Sequence, residues 1–454
     1  MPPADTGASA AQRAGASAPP SPDTAAAGAA QAAKLSPGSP GYRRANFALF
    51  AAGLATFALL YSTQALLPAI SADLALTPAQ ASLTVTATTA ALAIALLPVS
   101  ALSEKYGRTA VMTASVFSAA LLALVIPFAP DLTTLVALRA VQGVALAGLP
   151  ATAMAYLAEE IHPKAVASAI GLYVAGNSIG GMSSRVFSGA VSQALGWRTA
   201  LFVVGLIALA CAVAFRLLVP TARNFQPGPV NPAALLRTVT GHLGNALLRR
   251  LYAIGLLFMA VFGAVYTVLG YRLMAEPFGL SQTAVGLIFL VYLVGTAASA
   301  GSGVLLGRVG RRGALYVAVS LAAAGLLLTL STSLVLVLAG LVLITGGFFT
   351  GHAVASSSVS RTATTGRAQA SALYLTAYYI GNSVGGTVGA SAFHAAGWEG
   401  TVALSLAALV GVAGITLYAT RRAVLSARAG GGSGAGPSGA GVRNRLFTSL
   451  AAHK

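Results

Sequence analysis

Long apolar runs separated by short polar turns dominate the chain, and this alternation predicts a row of hydrophobic helices. Twelve runs reach the length of about 20 residues that an α-helix needs to cross a hydrocarbon layer about 30 Å thick. The pattern therefore predicts an all-α polytopic membrane protein with twelve transmembrane helices, at residues 47–70, 79–102, 110–129, 132–157, 165–195, 197–219, 251–275, 281–306, 314–330, 333–358, 369–395 and 398–420.

Three short motifs of the first six runs return in the same order in the last six. The basic turn Gly107-Arg108 returns as Gly310-Arg311, the glycine-rich run at 176–181 returns at 381–386, and Gly196-Trp197 returns as Gly397-Trp398. Two six-helix bundles related by a parallel repeat are typical of transporters that rock around a midplane cavity. We expect these bundles at residues 43–219 and 250–422, with a cytoplasmic linker at 220–249. The Ala-, Pro- and Gly-rich residues 1–42 and the basic, Gly-rich residues 423–454 are predicted to be disordered cytoplasmic tails.

Composition and charge narrow the class of protein. A chain with 56% hydrophobic and only 8% charged residues is too apolar for a soluble globular protein. Its net charge of +18 would suit a nucleic-acid partner, but the cations stand in short clusters at one set of helix ends, which instead orients both termini toward the cytoplasm. We therefore predict a lipid bilayer, and no nucleic acid, as the environment of this chain.

Enzymatic and metal chemistry find no support in the residue types. The chain has a single cysteine, Cys211, inside an apolar run, so neither a disulfide framework nor a cysteine-based metal site can form. No nucleophile and base, nucleotide-binding loop or metal cluster appears. We predict a non-enzymatic protein without metal or cofactor.

Polar side chains within the apolar runs are the candidates for a ligand cavity. Arg139 and Arg185 stand at membrane depth, where a cation is costly unless it faces a cavity or a partner, although Arg185 could also extend to the membrane interface. The other candidates offer aromatic faces or neutral hydrogen-bonding groups: Tyr61, Gln64, Gln142, Tyr173, Asn177, Tyr266, Tyr292, Tyr378 and Asn382. Each tyrosine is as compatible with helix packing as with a cavity. Such a mixture suits an amphipathic organic solute that is neutral, zwitterionic or anionic.

The nine acidic residues all fall in tails, loops and helix ends. Proton antiporters commonly use a membrane carboxylate whose protonation competes with substrate, and this chain must do without one. His352 could titrate near neutral pH, but a histidine beside several serines is more often a hydrogen-bonded structural residue.

The turn containing Gly107-Arg108 resembles the signature between the second and third helices of the major facilitator superfamily. The run Arg139-Ala140-Val141-Gln142-Gly143 resembles the Arg-x-x-Gln-Gly signature of the same superfamily, and residues 171–185 and 270–274 look like the YnfM-type bacterial inner-membrane transporters. The resemblance implies a monomeric secondary transporter of the bacterial inner membrane. It would move a small organic solute or drug outward by alternating access, coupled to protons through Arg139. The alternative is a proton-independent uniporter or exchanger of a small organic anion.

The resemblance also implies a latch at the cytoplasmic ends of the helices. Glu104 in the first basic turn would meet the start of the eleventh helix, where Arg367 stands, and close that side in the outward-facing state. Gly107, Arg108, Gly310 and Arg311 complete the two loop motifs.

Glycines spaced four apart mark one stripe of the fifth and eleventh helices. These are Gly176 and Gly180, and Gly381, Gly385 and Gly389. Small residues allow helices to approach closely. The stripes could form a hinge where the bundles meet, or they could serve static packing.

Overall fold

Glycine and proline residues divide the apolar runs into helices in the computed structural model, which describes residues 34–225, 227 and 232–431, and side chains within these except those of 232 and 419–431. The α-helices are α1 (Pro40–Tyr61), α2 (Leu67–Leu74), α3 (Pro78–Tyr106), α4 (Arg108–Val125), α5 (Leu132–Leu146), α6 (Gly148–Glu160), α7 (Pro163–Leu218), α8 (Pro232–Gly244), α9 (Ala246–Met274), α10 (Gln282–Ile288), α11 (Tyr292–Leu328), α12 (Leu334–Thr362) and α13 (Arg367–Gly431). Short 3₁₀ turns at Gln64–Leu66, Ile126–Phe128 and Phe289–Val291 join some of them. The predicted all-α class is confirmed, and the described residues contain no β-strand.

Single glycines replace the loops expected between several predicted helices. Nine helical spans of the described residues, some of which join two consecutive helices, are long and apolar enough to cross a membrane. Three of these nine contain a glycine with a left-handed backbone, Gly196 (φ 83°), Gly310 (φ 69°) or Gly397 (φ 63°), which an L-residue with a Cβ rarely adopts. Counting both sides of each break gives twelve apolar segments in the described chain, a number consistent with the twelve predicted helices.

Three of the predicted spans are discontinuous. The eighth changes from α10 to α11 through the 3₁₀ turn Phe289–Val291, and in the other two a proline follows the interruption. The first span changes from α1 to α2 through a 3₁₀ turn, and Pro68 stands in the first turn of α2. The fourth span is interrupted at Ala147, and Pro150 follows in the first turn of α6. Because proline lacks an N–H and clashes with the carbonyl four residues earlier, an uninterrupted helix is disfavoured at both places.

The helix ends collect at two faces of the molecule. We call one of them the basic face; it contains the start of α1 and the end of α7. There Arg44 Nη2 donates to the Leu217 carbonyl at 3.0 Å. At the same face Arg108 forms an ion pair with Glu159 at 3.1 Å. At the opposite face Trp197 donates to Asp73 (3.1 Å), and the tryptophan of the second repeat, Trp398, donates to Thr329 (3.0 Å).

The glycine stripes lie between helices of the same half of the chain. A Cβ at Gly180 would overlap the backbone of Leu54 on α1, and a Cβ at Gly385 would overlap that of Ala260 on α9. The neighbouring stripe glycines pack in the same manner: Gly176 against Phe50, Gly381 against Leu256 and Gly389 against Ala264. These glycines therefore allow α7 to pack closely on α1, and α13 to pack closely on α9. This packing is within each half rather than at the junction of the halves, and a hinge role stays a prediction.

Helices α1–α7 pack mainly among themselves, as do α9–α13, and we refer to them as the first and second bundles. They meet along two edges, α3 with α13 and α7 with α10. On the first edge Asn382 donates to Thr89 Oγ1 (3.2 Å) and Thr376 donates to the Ala93 carbonyl (3.3 Å). On the second edge the Thr283 amide donates to Gln193 Oε1 (3.0 Å).

These bonds lie in the middle of the molecule and toward the opposite face. Within the described residues, no side-chain hydrogen bond joins the two bundles between the Thr376–Ala93 contact and the basic face. The bundles are therefore closed together at the opposite face.

Candidate functional site

A cavity of about 400 Å³ lies between the two bundles. Its wall includes Pro150 and Met154 of α6 and Ser356 of α12, in the halves of those helices that run toward the basic face. The remaining lining residues come from α1, α7, α9, α11, α12 and α13: Phe57, Tyr61, Tyr173, Val174, Asn177, Ser178, Gly181, Arg185, Met259, Phe262, Tyr292, Phe348, Phe349, His352, Leu375, Tyr378 and Tyr379. The cavity thus reaches from the centre of the molecule toward the basic face, and both bundles contribute to it.

Arg185 is the one formally charged side chain among the described residues of this wall. It is only 2% exposed. Its Nε and Nη2 donate to Gln64 Oε1 at 2.8 and 2.6 Å, and its Nη1 donates to the Gly181 carbonyl. Within the described chain it makes no ion pair. The sequence alternative in which Arg185 extends to the membrane interface is wrong, because the guanidinium is bound to groups in the protein interior.

Aromatic rings from both bundles surround this guanidinium. Its carbon lies 4.3 Å from the ring centre of Tyr61 in the first bundle, and 5.0 Å from those of Phe289 and Tyr292 in the second. The negative ring faces attract a cation over such distances. Arg185 therefore lies where the two bundles meet, held by rings and an amide rather than by a carboxylate.

The rest of the wall toward the second bundle is mostly aromatic. Phe262 stacks on Phe348 with ring centres 4.0 Å apart, and it contacts Tyr292 at 5.3 Å. The Tyr292 hydroxyl is buried and has no hydrogen-bond partner. An apolar wall with a few polar groups aimed into it is typical of a small-molecule site.

His352 belongs to the same wall but is already hydrogen-bonded. Its Nδ1 lies 3.0 Å from the Tyr374 hydroxyl, and its ring stacks near Phe348. The structure therefore places it as the hydrogen-bonded residue that its serine-rich surroundings suggest.

Arg139 lies behind the wall, within the first bundle. It is 1% exposed, and its guanidinium donates to the backbone carbonyls of Leu59 (2.9 Å), Leu60 (2.9 Å) and Thr84 (2.8 Å). Leu59 and Leu60 belong to the last turn of α1, where a helix leaves carbonyls without intrahelical partners. Arg139 also donates to Gln142 Oε1, and Gln142 in turn donates to the carbonyl of Ala119 on α4. The arginine thus caps the broken end of α1.

The predicted cavity residues divide into two groups. Tyr61, Tyr173, Asn177, Arg185, Tyr292 and Tyr378 line the cavity, whereas Gln64, Arg139, Gln142, Tyr266 and Asn382 lie outside its lining. Side chains of the second group are bound by other protein groups; for example, the Tyr266 hydroxyl lies 2.5 Å from Thr345 Oγ1, and Asn382 donates to Thr89 Oγ1.

The sequence prediction missed the apolar part of the lining. Phe262, Phe348, Phe349, Met154 and Met259 line the cavity, but an aromatic or methionine residue in an apolar run looks the same whether it faces lipid, a core or a cavity. A cluster of Phe-Phe at 348–349 near His352 is the one signal that could have drawn attention to this wall.

The predicted latch pair is not formed in this conformation. Arg367 donates from Nε to the Ala363 carbonyl (3.1 Å), and Arg108 pairs with Glu159 inside the first bundle. Neither described residue of the pair, Glu104 or Arg367, forms an ion pair with the other. Because the latch hypothesis concerns the state closed at the basic face, it stays a prediction.

Comparisons with known proteins identify the family. The family model of the Major Facilitator Superfamily matches residues 47–271. The chain is 41% identical over 375 residues to the inner membrane transport protein YnfM of Escherichia coli K12, covering 82% of this chain and 90% of that protein. It is 40% identical over 366 residues to the MFS-type transporter YybF of Bacillus subtilis 168, covering 80% of this chain and 90% of that protein.

Solved structures show the same fold at low sequence identity. A bacterial homologue of the human lysosomal transporter Spinster, in an inward-facing and occupied conformation, superposes with a TM-score of 0.68 at 18% identity, over 84% of this chain and 97% of that one. The nucleoside transporter NupG superposes with a TM-score of 0.65 at 13% identity, over 82% of this chain and 97% of that one. With its all-helical architecture and its relatives over four fifths of its length, the chain belongs to the Major Facilitator Superfamily of membrane transporters.

Proposed function

We propose that this member of a transporter family is a secondary active transporter that moves a small organic solute or drug outward across the bacterial inner membrane by alternating access, coupled to protons. The observation that carries the proposal is the cavity between the bundles, which extends from the centre toward the basic face while hydrogen bonds close the bundles at the opposite face. Rocking of one bundle against the other would close the basic face and open the opposite one.

Orientation is part of the proposal. Lys and Arg side chains near helix ends, such as Arg43, Lys105, Arg216 and Arg250, support a cytoplasmic basic face because cytoplasmic loops retain cations. In that orientation both termini are cytoplasmic, and the conformation described above faces inward. The transport unit is proposed to be the monomer, since each chain contributes both walls of its own cavity.

A second candidate function has its own observation. No Asp or Glu belongs to the described lining, whereas Arg185 does. This composition supports a proton-independent uniporter or exchanger of a small organic anion, because a carboxylate that could exchange protons for substrate is absent from the wall.

Transport in proteoliposomes with an imposed pH gradient separates the two candidates. Purified protein is reconstituted, and uptake of a panel of dyes, sugars and organic acids is measured with the interior acid, neutral or alkaline. Faster uptake with an acid interior, where protons leave as solute enters, supports proton-coupled efflux. Uptake that follows only the solute gradient supports the uniporter or exchanger, and failure of every solute to cross contradicts transport by this protein.

A further inference from the structure

Hydrogen bonds from protein groups stabilise the charge of Arg185, but no carboxylate among the described residues balances it. A guanidinium has five N–H donors, and three hydrogen bonds are formed, two to Gln64 Oε1 and one to the Gly181 carbonyl. One N–H on each terminal nitrogen therefore has no partner. Two terminal N–H groups are what a carboxylate accepts in a bidentate contact.

A second unpartnered donor lies beside this arginine. The Tyr292 hydroxyl is buried without a hydrogen bond, and the Tyr292 ring centre is 5.0 Å from the guanidinium carbon. A buried polar group without a partner costs free energy that a bound ligand can recover. Both groups belong to the cavity wall.

The surroundings define what the anion must look like. Arg185 alone carries formal charge in the described lining, so one negative charge balances the wall and a second one would be buried without a partner. Beyond the arginine the wall consists largely of rings and thioethers, including Phe262, Phe348 and Met259. Rings pack favourably on such a surface.

We propose that the cavity binds an amphipathic monocarboxylate, with its carboxylate on Arg185 and the Tyr292 hydroxyl and its apolar body against the aromatic wall. This inference rests on the proposed transport function and names the class of its substrate. Gln64 is then a positioning residue, because its amide oxygen orients the guanidinium without cancelling the charge. A glutamate at position 64 would orient the guanidinium and also cancel its charge.

Binding to purified protein tests the site independently of transport. Benzoate, cinnamate and naphthoate are each compared with their own primary amide, which keeps the apolar body and removes the charge. For the wild type we expect at least one acid to bind about tenfold or more tightly than its amide, as a charge-assisted hydrogen-bond pair allows.

Gln64→Glu is the most informative variant, since it supplies an internal carboxylate to Arg185 at nearly unchanged volume outside the cavity lining. We expect the ratio of acid to amide affinity to fall to about one in Gln64→Glu and in Arg185→Gln. Arg185→Lys should retain a reduced preference, because it keeps the charge and loses the fork. Arg272→Gln, which changes an arginine outside the lining, should bind like the wild type.

The proposal is overturned if no acid in the panel binds better than its amide, or if the preference survives Gln64→Glu. Should Arg185→Gln fail to fold, Gln64→Glu alone decides. Transport of a neutral solute without any preference for acids would leave the transporter function standing and end the anion site. Acid binding that depends on Arg185, in a protein that transports no solute, would support the anion site and contradict the transporter function.

Discussion

Asn382 of the second bundle donates its side-chain amide to Thr89 Oγ1 of the first bundle at 3.2 Å. Counted from the repeated Gly-Arg turn, the repeat counterpart of Thr89 is Tyr292, and the glycine-rich motif makes Asn177 the counterpart of Asn382. Asn177 and Tyr292 both line the cavity, and the Tyr292 hydroxyl has no hydrogen bond. Asn382 and Thr89 thus join the bundles by a hydrogen bond. Their repeat counterparts, Asn177 and Tyr292, instead border the cavity.

Removing the Asn382–Thr89 bond should weaken the contact between the bundles. We expect Asn382→Ala and Thr89→Ala each to lower thermal stability by the equivalent of about 1 kcal/mol, because each leaves a buried polar partner unpaired. The double variant should lose less than the two single variants added together. Thermal unfolding of the four proteins in one detergent measures this, and strict additivity would show that the bond does not couple the bundles.

Close approach of α7 to α1 predicts that Gly180 tolerates no side chain. Gly180→Ala should destabilise the protein by about 1–3 kcal/mol, because a Cβ would overlap the Leu54 backbone and force the helices apart. Gly171→Ala is the matched control on the same helix, since it is exposed and has open space around it. The control should be neutral or slightly stabilising. Equal melting temperatures for the two variants would contradict the packing role.

Arg139 should matter for stability rather than for substrate choice. Arg139→Lys and Arg139→Gln both lose the fork that reaches Leu59, Leu60 and Thr84, and each buried carbonyl left unpaired costs about 1–3 kcal/mol. We expect a marked fall in melting temperature for both variants and an unchanged order of ligand affinities in whatever folds. A stable Arg139→Gln protein with altered ligand preference would instead return Arg139 to the binding or proton-coupling role that its motif suggests.

The regular part of the fold could be predicted from the sequence, and the site only in part. Hydrophobic length places the spans, and Gly196, Gly310 and Gly397 predict the sharp reversals, because these are local properties of the chain. Pro68 and Pro150 mark two of the three discontinuous spans through the same local physics. None of these conclusions requires knowledge of which helices are neighbours.

Arg139 and Arg185 show where sequence reasoning stops. Both are arginines within apolar runs, and the sequence makes both of them candidates for the cavity wall. The difference arises because the end of α1 presents carbonyls to Arg139, whereas Arg185 meets Gln64 and rings from the other bundle. These partners lie far away in sequence, so their arrangement follows from tertiary packing.

The latch hypothesis predicts a shift in the balance between conformations. An anion near a helix N-terminus gains about 0.3–1 kcal/mol, so Glu104→Ala should reduce the population closed at the basic face by roughly two- to fivefold. Cross-linking between cysteines at Tyr106 and Ala368, both exposed near that face, reports this population.

Asp131→Asn is the matched control for the latch. It removes an acid at the opposite face whose side chain caps α5 through the Thr134 amide (2.8 Å), and asparagine caps equally well. Cross-linking should be unchanged in the control and reduced in Glu104→Ala. Equal cross-linking in both proteins would exclude the latch.

Alternating access requires that the two bundles rock so that the cavity opens to one face when it closes at the other. Spin labels at Tyr106 and Ala368 near the basic face, and at Ala194 and Thr283 near the opposite face, allow both distances to be measured in the same membrane-reconstituted protein. During turnover with a transported solute we expect two populations at each pair, with the short distance at one face always accompanying the long distance at the other. Distances that lengthen together, or that stay fixed while solute crosses the membrane, would contradict it.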